Sequence, residues 1–264
     1  MVKTETHSIL KVTDLSIGYS SKRDTSVIAA HINFELQQGQ LIGLVGANGI
    51  GKSTLLRTLT KVQPHLDGQI SINDKELSKI SLSELARSLS LVLTEPLQAR
   101  NLSVYELVAL GRHPYTNWIG NLSNEDKAII DNAIELTTIE DLKHKKCFEL
   151  SDGQLQKVMI ARALAQDTNL IILDEPTTHL DMYHKAYILK LLKDLTQTTK
   201  KTILFSSHEI DLAIQLCDTM IVMTENGVIT DSPKQLIKNR TFDHLFPKDL
   251  IMFDHETGSF RVRK

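Results

Sequence analysis

The run Gly46-Ala47-Asn48-Gly49-Ile50-Gly51-Lys52-Ser53 fits the pattern GxxxxGK[ST]. Glycines at these positions let the backbone curl until successive N–H groups converge on phosphate oxygens. A helix starting there adds its positive end. Lys52 stands where its ammonium reaches a β- or γ-phosphate, and the Ser53 hydroxyl stands where it ligates Mg2+. A second group closes the apolar run LIILDEP. Asp174 suits Mg2+, directly or through water, and Glu175 suits the polarising of an attacking water. Strands often end in acids, so this pair gains its meaning from the glycine loop upstream. Together the two groups point to phosphoryl transfer from a nucleotide to water.

Such residues need strands to carry them. Short β-branched runs alternate with helical periods along most of the chain, which predicts an α/β fold with a mostly parallel sheet. LIGLV (41–45), SLVLT (90–94), LIILD (170–174) and TILFSS (202–207) read as its strands, and KSTLLRTLTKV (52–62) as the helix after the loop. Residues 9–19 and 27–36 read instead as an N-terminal antiparallel β-subdomain. Between 95 and 165 strand signals vanish. SVYELVALG reads as a helix capped by Ser103, SNEDKAIIDNAIEL as an amphipathic helix and SDGQLQKVMIARALAQ as a third with its own N-terminal serine, so this stretch is expected as an inserted α-helical subdomain of one 264-residue unit. SLSE (81–84) is a further capping-box pattern, and Glu225-Asn226-Gly227 a hairpin turn. Ser232-Pro233 opens a late helix, and IMFD and SFRV suit a terminal hairpin.

LSDGQ (150–154) lies between the glycine loop and the acid strand, and it resembles the LSGGQ signature of ATP-binding-cassette (ABC) ATPases. Ser151 there caps a helix, and Gly153 leaves room for a phosphate. Further elements follow in the family's order. Tyr19 matches the aromatic that stacks on adenine, although a strand-end tyrosine by itself reads as packing. Thr178-His179-Leu180-Asp181 resembles the D-loop, and His208 the switch histidine at the γ-phosphate. The resemblance covers nearly the whole chain. It implies ATP and Mg2+ as cofactors, with ATP held by Tyr19, Gly46, Ala47, Asn48, Gly49, Gly51, Lys52, Ser53 and Thr54. It implies a homodimer in which Ser151, Gly153, Gln154 and Asp181 face the nucleotide of the other copy. Lys52, Glu175 and His208 carry catalysis, and Ser53 and Asp174 the metal.

The sequence departs from the family once. Where the family has a glutamine entering the helical insert, this chain reads Leu93-Thr94-Glu95-Pro96. Thr94 is the closest match and an added candidate for Mg2+, Glu95 is its neighbour, and Gln98 falls late. ELVALGRHPY further resembles the ATPase subunits of type II importers for iron-siderophore, haem or vitamin B12. An integral membrane permease is then the partner, with a periplasmic or surface substrate-binding protein acting indirectly, and the place is the cytoplasmic face of the membrane. His113, Tyr115 and Trp118 lie where such a permease docks, or simply pack the helices. ATPase subunits of other ABC transporters, a soluble ABC ATPase and a non-catalytic module are the competing readings.

Composition limits these readings. A net charge of −2, with 23% charged residues, gives no basis for non-specific nucleic-acid binding. Cys147 and Cys217 have no metal-ligand spacing and read as free thiols. No apolar run reaches the ~18 residues of a membrane span, and the N-terminus has no signal-peptide pattern, so any membrane role is expected through a partner.

Overall fold

The computed structural model describes residues 7–21, 24–94, 100–116, 120–247 and 249–263; Glu95, Gln98 and Trp118 lie outside them. Among the described residues two sheets form the body. The first is antiparallel, in the order β2-β1-β4-β5, from β1 (Ser8–Ser20), β2 (Thr25–Gln37), β4 (Asp67–Ile72) and β5 (Lys75–Glu76). The second has the order β10-β9-β3-β8-β7-β6, from β3 (Leu41–Gly46), β6 (Leu89–Val92), β7 (Leu170–Leu173), β8 (Thr202–Ser206), β9 (Thr219–Thr224) and β10 (Gly227–Asp231). All its pairings are parallel except β9–β10, whose two-residue turn releases into Gly227 at φ 128. β3, β7 and β8 are buried at every position, as parallel strands covered on both faces must be.

Two apolar layers cover those faces. One lies against the antiparallel sheet and joins Leu15, Ile17 and Ile32 to Ile42, Leu44, Ile172 and Leu204, with Leu55, Leu56 and Leu59 of α1 (Lys52–Leu59). The other joins the opposite face to α3 (Val104–Ala109), α4 (Asn124–Leu136), α5 (Asp152–Ala165), α6 (Met182–Thr199) and α7 (Ile210–Leu216). α3, α4 and α5 fall between β6 and β7 and pack on one another. A buried pair ties them: Arg112 Nε donates to Asp126 Oδ1 at 2.8 Å, and its Nη1 donates to the Ala165 carbonyl at 2.9 Å. α2 (Leu82–Ser88) precedes β6, and α8 (Pro233–Lys238) follows β10 with Ser232 as its cap. A terminal hairpin, β11 (Ile251–Asp254) with β12 (Ser259–Val262), ends the described chain.

Three local readings shorten. α1 stops at Leu59 rather than Val62, because Lys61 turns to φ 60 and its ammonium donates to the carbonyls of Leu77 and Ile80. Ser81 caps α2, but the Glu84 carboxylate binds Lys75 at 2.6 Å instead of returning to the cap, so the box is half made. β6 leaves its ladder at Val92, two residues before the predicted end. Among the described residues no helix is long and apolar enough to cross a membrane.

Candidate functional site

The glycine loop joins β3 to α1 and depends on two positions without a side chain. A Cβ on Gly46 would come within 2.7 Å of the Met223 carbonyl oxygen, and Gly51 holds φ 109 with Ile28 against it. No side chain caps α1, so its first-turn N–H groups are left for a ligand. The Lys52 ammonium lies across the loop, donating to the carbonyls of Gly46 at 3.0 Å and Ala47 at 3.2 Å. Burial lowers its pKa, and the nearby carboxylates of Glu175 and Asp174 oppose that fall.

The acids meet the loop because β7, β8 and β3 are neighbours. Asp174, 5% exposed, accepts through Oδ1 from Ser53 Oγ at 3.1 Å and Ser206 Oγ at 2.7 Å. Ser206 Oγ in turn accepts from the Glu175 N–H at 2.9 Å, so one hydroxyl positions both acids. Glu175 stands at φ 49, a strained setting for a residue with a side chain. Its Oε1 is 2.7 Å from His208 Nε2, and its Oε2 accepts from Thr178 Oγ1 at 3.1 Å.

A single cavity of about 450 Å3 gathers Tyr19, Asn48, Gly49, Gly51, Lys52, Ser53, Thr54, Glu175 and His208. Tyr19 comes from the antiparallel sheet, 55% exposed, with its hydroxyl 3.4 Å from Thr54 Oγ1. Ile28 shares the lining. The hollow thus has an aromatic end and a phosphate-type end.

Ser151, Gly153, Gln154 and Asp181 do not line it. Ser151 and Gln154 form a reciprocal capping box at the start of α5, with bonds of 3.3 and 3.1 Å. Gly153 makes room for a neighbour within the chain, since a Cβ there would sit 3.0 Å from the His184 ring. That ring's Nδ1 lies 2.9 Å from both Asp181 carboxylate oxygens, and Asp181 caps α6. His184 therefore joins the LSDGQ helix to the D-loop aspartate. Thr94 Oγ1 donates to the Asp174 carbonyl at 2.8 Å, which commits its hydrogen to the backbone beside the acids. Tyr115 stacks on Arg112, 4.0 Å from guanidinium carbon to ring centroid, while His113 is exposed.

Sequence reasoning missed Ser206 and His184, and named Thr178 only as part of the D-loop, without its bond to Glu175. Ser206 carried a signal: a hydroxyl just before His208, at the tip of the strand beside the acid strand. Thr178 and His184 each act three residues after a residue already singled out.

Comparison with known proteins agrees with this geometry. A family profile described as ABC transporter matches residues 29–178. The achromobactin transport ATP-binding protein CbrD of Dickeya dadantii is 36% identical over 237 residues, 89% of this chain and 87% of its own. The iron(3+)-hydroxamate import ATP-binding protein FhuC of Bacillus subtilis is 36% identical over 222 residues, 84% of this chain and 81% of its own. Among solved structures, CbiO1 from Clostridium perfringens, part of the ABC transporter complex CbiONQ, superposes with a TM-score of 0.78 at 31% identity, covering 89% of this chain and 93% of that one. With a glycine loop, Glu175 and His208 around one hollow and Asp174 bonded to Ser53 beside it, the profile match and these relatives place this chain in the ABC transporter family as an ATP-binding ATPase subunit.

Proposed function

We propose that this chain is the energy-coupling subunit of an importer for a metal chelate, of the iron-siderophore, haem or cobalamin class. The named relatives that transport achromobactin and iron(3+)-hydroxamate support that cargo class. The observation that carries the site reading is the shared cavity of Tyr19, Lys52, Glu175 and His208, from which Ser151 and Gly153 are absent. A pocket so divided is completed by a second copy, whose Ser151 and Gly153 would meet the γ-phosphate when two chains associate head to tail.

In this reading Tyr19 stacks on the adenine and the loop N–H groups hold the phosphates. Lys52 leaves its carbonyl partners for the β- and γ-phosphates. Glu175 leaves His208, accepts a proton from water, and directs that water in line with the γ-phosphorus. His208, freed from Glu175, donates to the γ-phosphate oxygen as charge develops. Ser53 and Asp174 offer a hydroxyl and a carboxylate oxygen 3.1 Å apart, an all-oxygen donor set that fits Mg2+. Mg2+ held there would neutralise charge on the β- and γ-phosphate oxygens. Closing and opening of the paired copies would move the inserted helices α3, α4 and α5, and with them a permease at the cytoplasmic face of the membrane. A substrate-binding protein outside the membrane would deliver the chelate.

Affinity purification of the tagged chain from gently solubilised native membranes tests the reading. The expected result is a co-purifying polytopic permease together with a chelate-binding protein. Recovery of ribosomal or DNA-repair proteins with no membrane protein would overturn it.

A further inference from the structure

Residues beyond α8 take no part in the nucleotide cavity, yet they enclose a second one. The β11–β12 hairpin folds back over the segment after α8, where Phe242, Phe246, Phe253 and Phe260 meet with centroids 4.9–6.4 Å apart. Phe242 and Phe253 are buried, at 1% and 5% exposure, and give the hairpin a small core of its own. A cavity of about 390 Å3 remains beside these rings. That volume lies within the range of small-molecule sites, which are mostly apolar with a few polar groups that fix orientation.

The charged groups left unpaired here have one sign. Arg240 and Arg263 both line the cavity, and neither guanidinium has an ion pair or side-chain hydrogen bond among the described residues. The one carboxylate in the lining, Asp243, is engaged by His255 Nε2 at 2.9 Å. Two unpaired guanidinium groups at the edge of an aromatic hollow match a ligand with a flat apolar body and one carboxylate. The carboxylate takes the forked N–H donors, and the rings meet the body edge to face.

The cavity also touches the machinery already described. Asp243 and Phe246 line a cleft of about 530 Å3 whose other side is Ala47, Asn48, Gly49 and Ile50 of the glycine loop. On the far side, the Phe260 N–H donates to Asp211 Oδ1 of α7 at 3.2 Å, three residues beyond His208. A ligand that orders this wall therefore acts on elements flanking the nucleotide.

We propose that the C-terminal cavity binds a small aromatic carboxylate, and that its occupancy alters nucleotide affinity through the wall formed by Asp243 and Phe246. The binding half stands apart from the nucleotide reading, and the coupling half rests on it. Calorimetric titration of the full chain with 2-naphthoate, and with the neutral 2-naphthalenemethanol, tests the first half. The expected result is saturable one-to-one binding of the acid, about tenfold or more tighter than the alcohol. The double variant Arg240→Glu, Arg263→Glu changes exposed residues only and should lose that binding with its melting temperature kept. Equal binding of acid and alcohol, binding unchanged in the double variant, or no saturable heat with the native chain would overturn the site. For the second half, ATP affinity is measured with and without saturating 2-naphthoate, and a shift of about fivefold or more is expected. Unchanged ATP affinity at saturation would overturn the coupling. Failure to bind ATP with no naphthoate present would count against the nucleotide site instead.

Discussion

Glu175 is the residue on which the proposed chemistry turns, and its present partners make a strong test. His208 and Thr178 hold its carboxylate, and a glutamine would keep both contacts while losing basicity. Glu175→Gln should lower steady-state ATP hydrolysis roughly 10²–10⁴-fold, the usual worth of a general base, with ATP binding retained. Near-normal turnover in a phosphate-release assay would remove Glu175 from that role. Ser206 acts one step back, by holding Asp174 and the Glu175 N–H together. Ser206→Ala should raise the Mg2+ concentration for half-maximal hydrolysis about tenfold, as expected for a group that orients a metal ligand, and Ser206→Thr should restore it. An unchanged Mg2+ profile with a lowered melting temperature would make Ser206 merely structural. The loop and the two acids were legible in the sequence because their type and order are rare in combination. Ser206 was not, since a serine in a strand gives no sign of facing a carboxylate until the neighbouring strand is known.

The elements were legible in kind and less so in extent. Buried parallel strands read as apolar runs, and serine caps marked α3 and α5 at their observed starts. Helix ends were harder to read, because they depend on side chains far along the chain: Lys61 on the Leu77 carbonyl ends α1, and Lys75 takes the Glu84 carboxylate from the α2 cap. The Arg112–Asp126 pair was equally invisible, its partners 14 positions apart. It is a buried polar tie among the helices between β6 and β7, with side chains only 6% and 10% exposed. The hydrogen bond from Arg112 is the main cause holding the Asp126 carboxyl below its ordinary pKa, followed by bonds from Ser123. Folding thus favours the ionised form. That contribution is complete above the unfolded carboxylate's pKa, about 3.9, and is lost as pH falls through the lower folded value. Asp126→Asn should cost about 2 kcal/mol near neutral pH and flatten the acid side of the stability profile. Chemical denaturation across pH checks both, and an unchanged acid limb would show that Asp126 does not set it.

At the scale of the molecule, the proposed site is half a site. Ser151, exposed, and Gly153, buried against His184, both stand at a helix start outside the nucleotide cavity, so a single chain should bind ATP and still hydrolyse it poorly. The hydrolysis-defective Glu175→Gln chain should double its mass in ATP and return to monomer when the nucleotide is removed, as followed by light scattering. A constant monomer mass would remove the paired arrangement. The sequence could suggest this division only through family resemblance, because nothing in LSDGQ itself says which copy's nucleotide it meets. The position of Tyr19 adds a mechanical point. The aromatic end of the cavity hangs from the antiparallel sheet, and the phosphate end is built on the parallel one. Bound ATP would be a strut between two otherwise separately laddered plates. Loss of its γ-phosphate would shorten that strut while the β-phosphate stays on the loop, so the load carried between the plates would fall as the fuel burns.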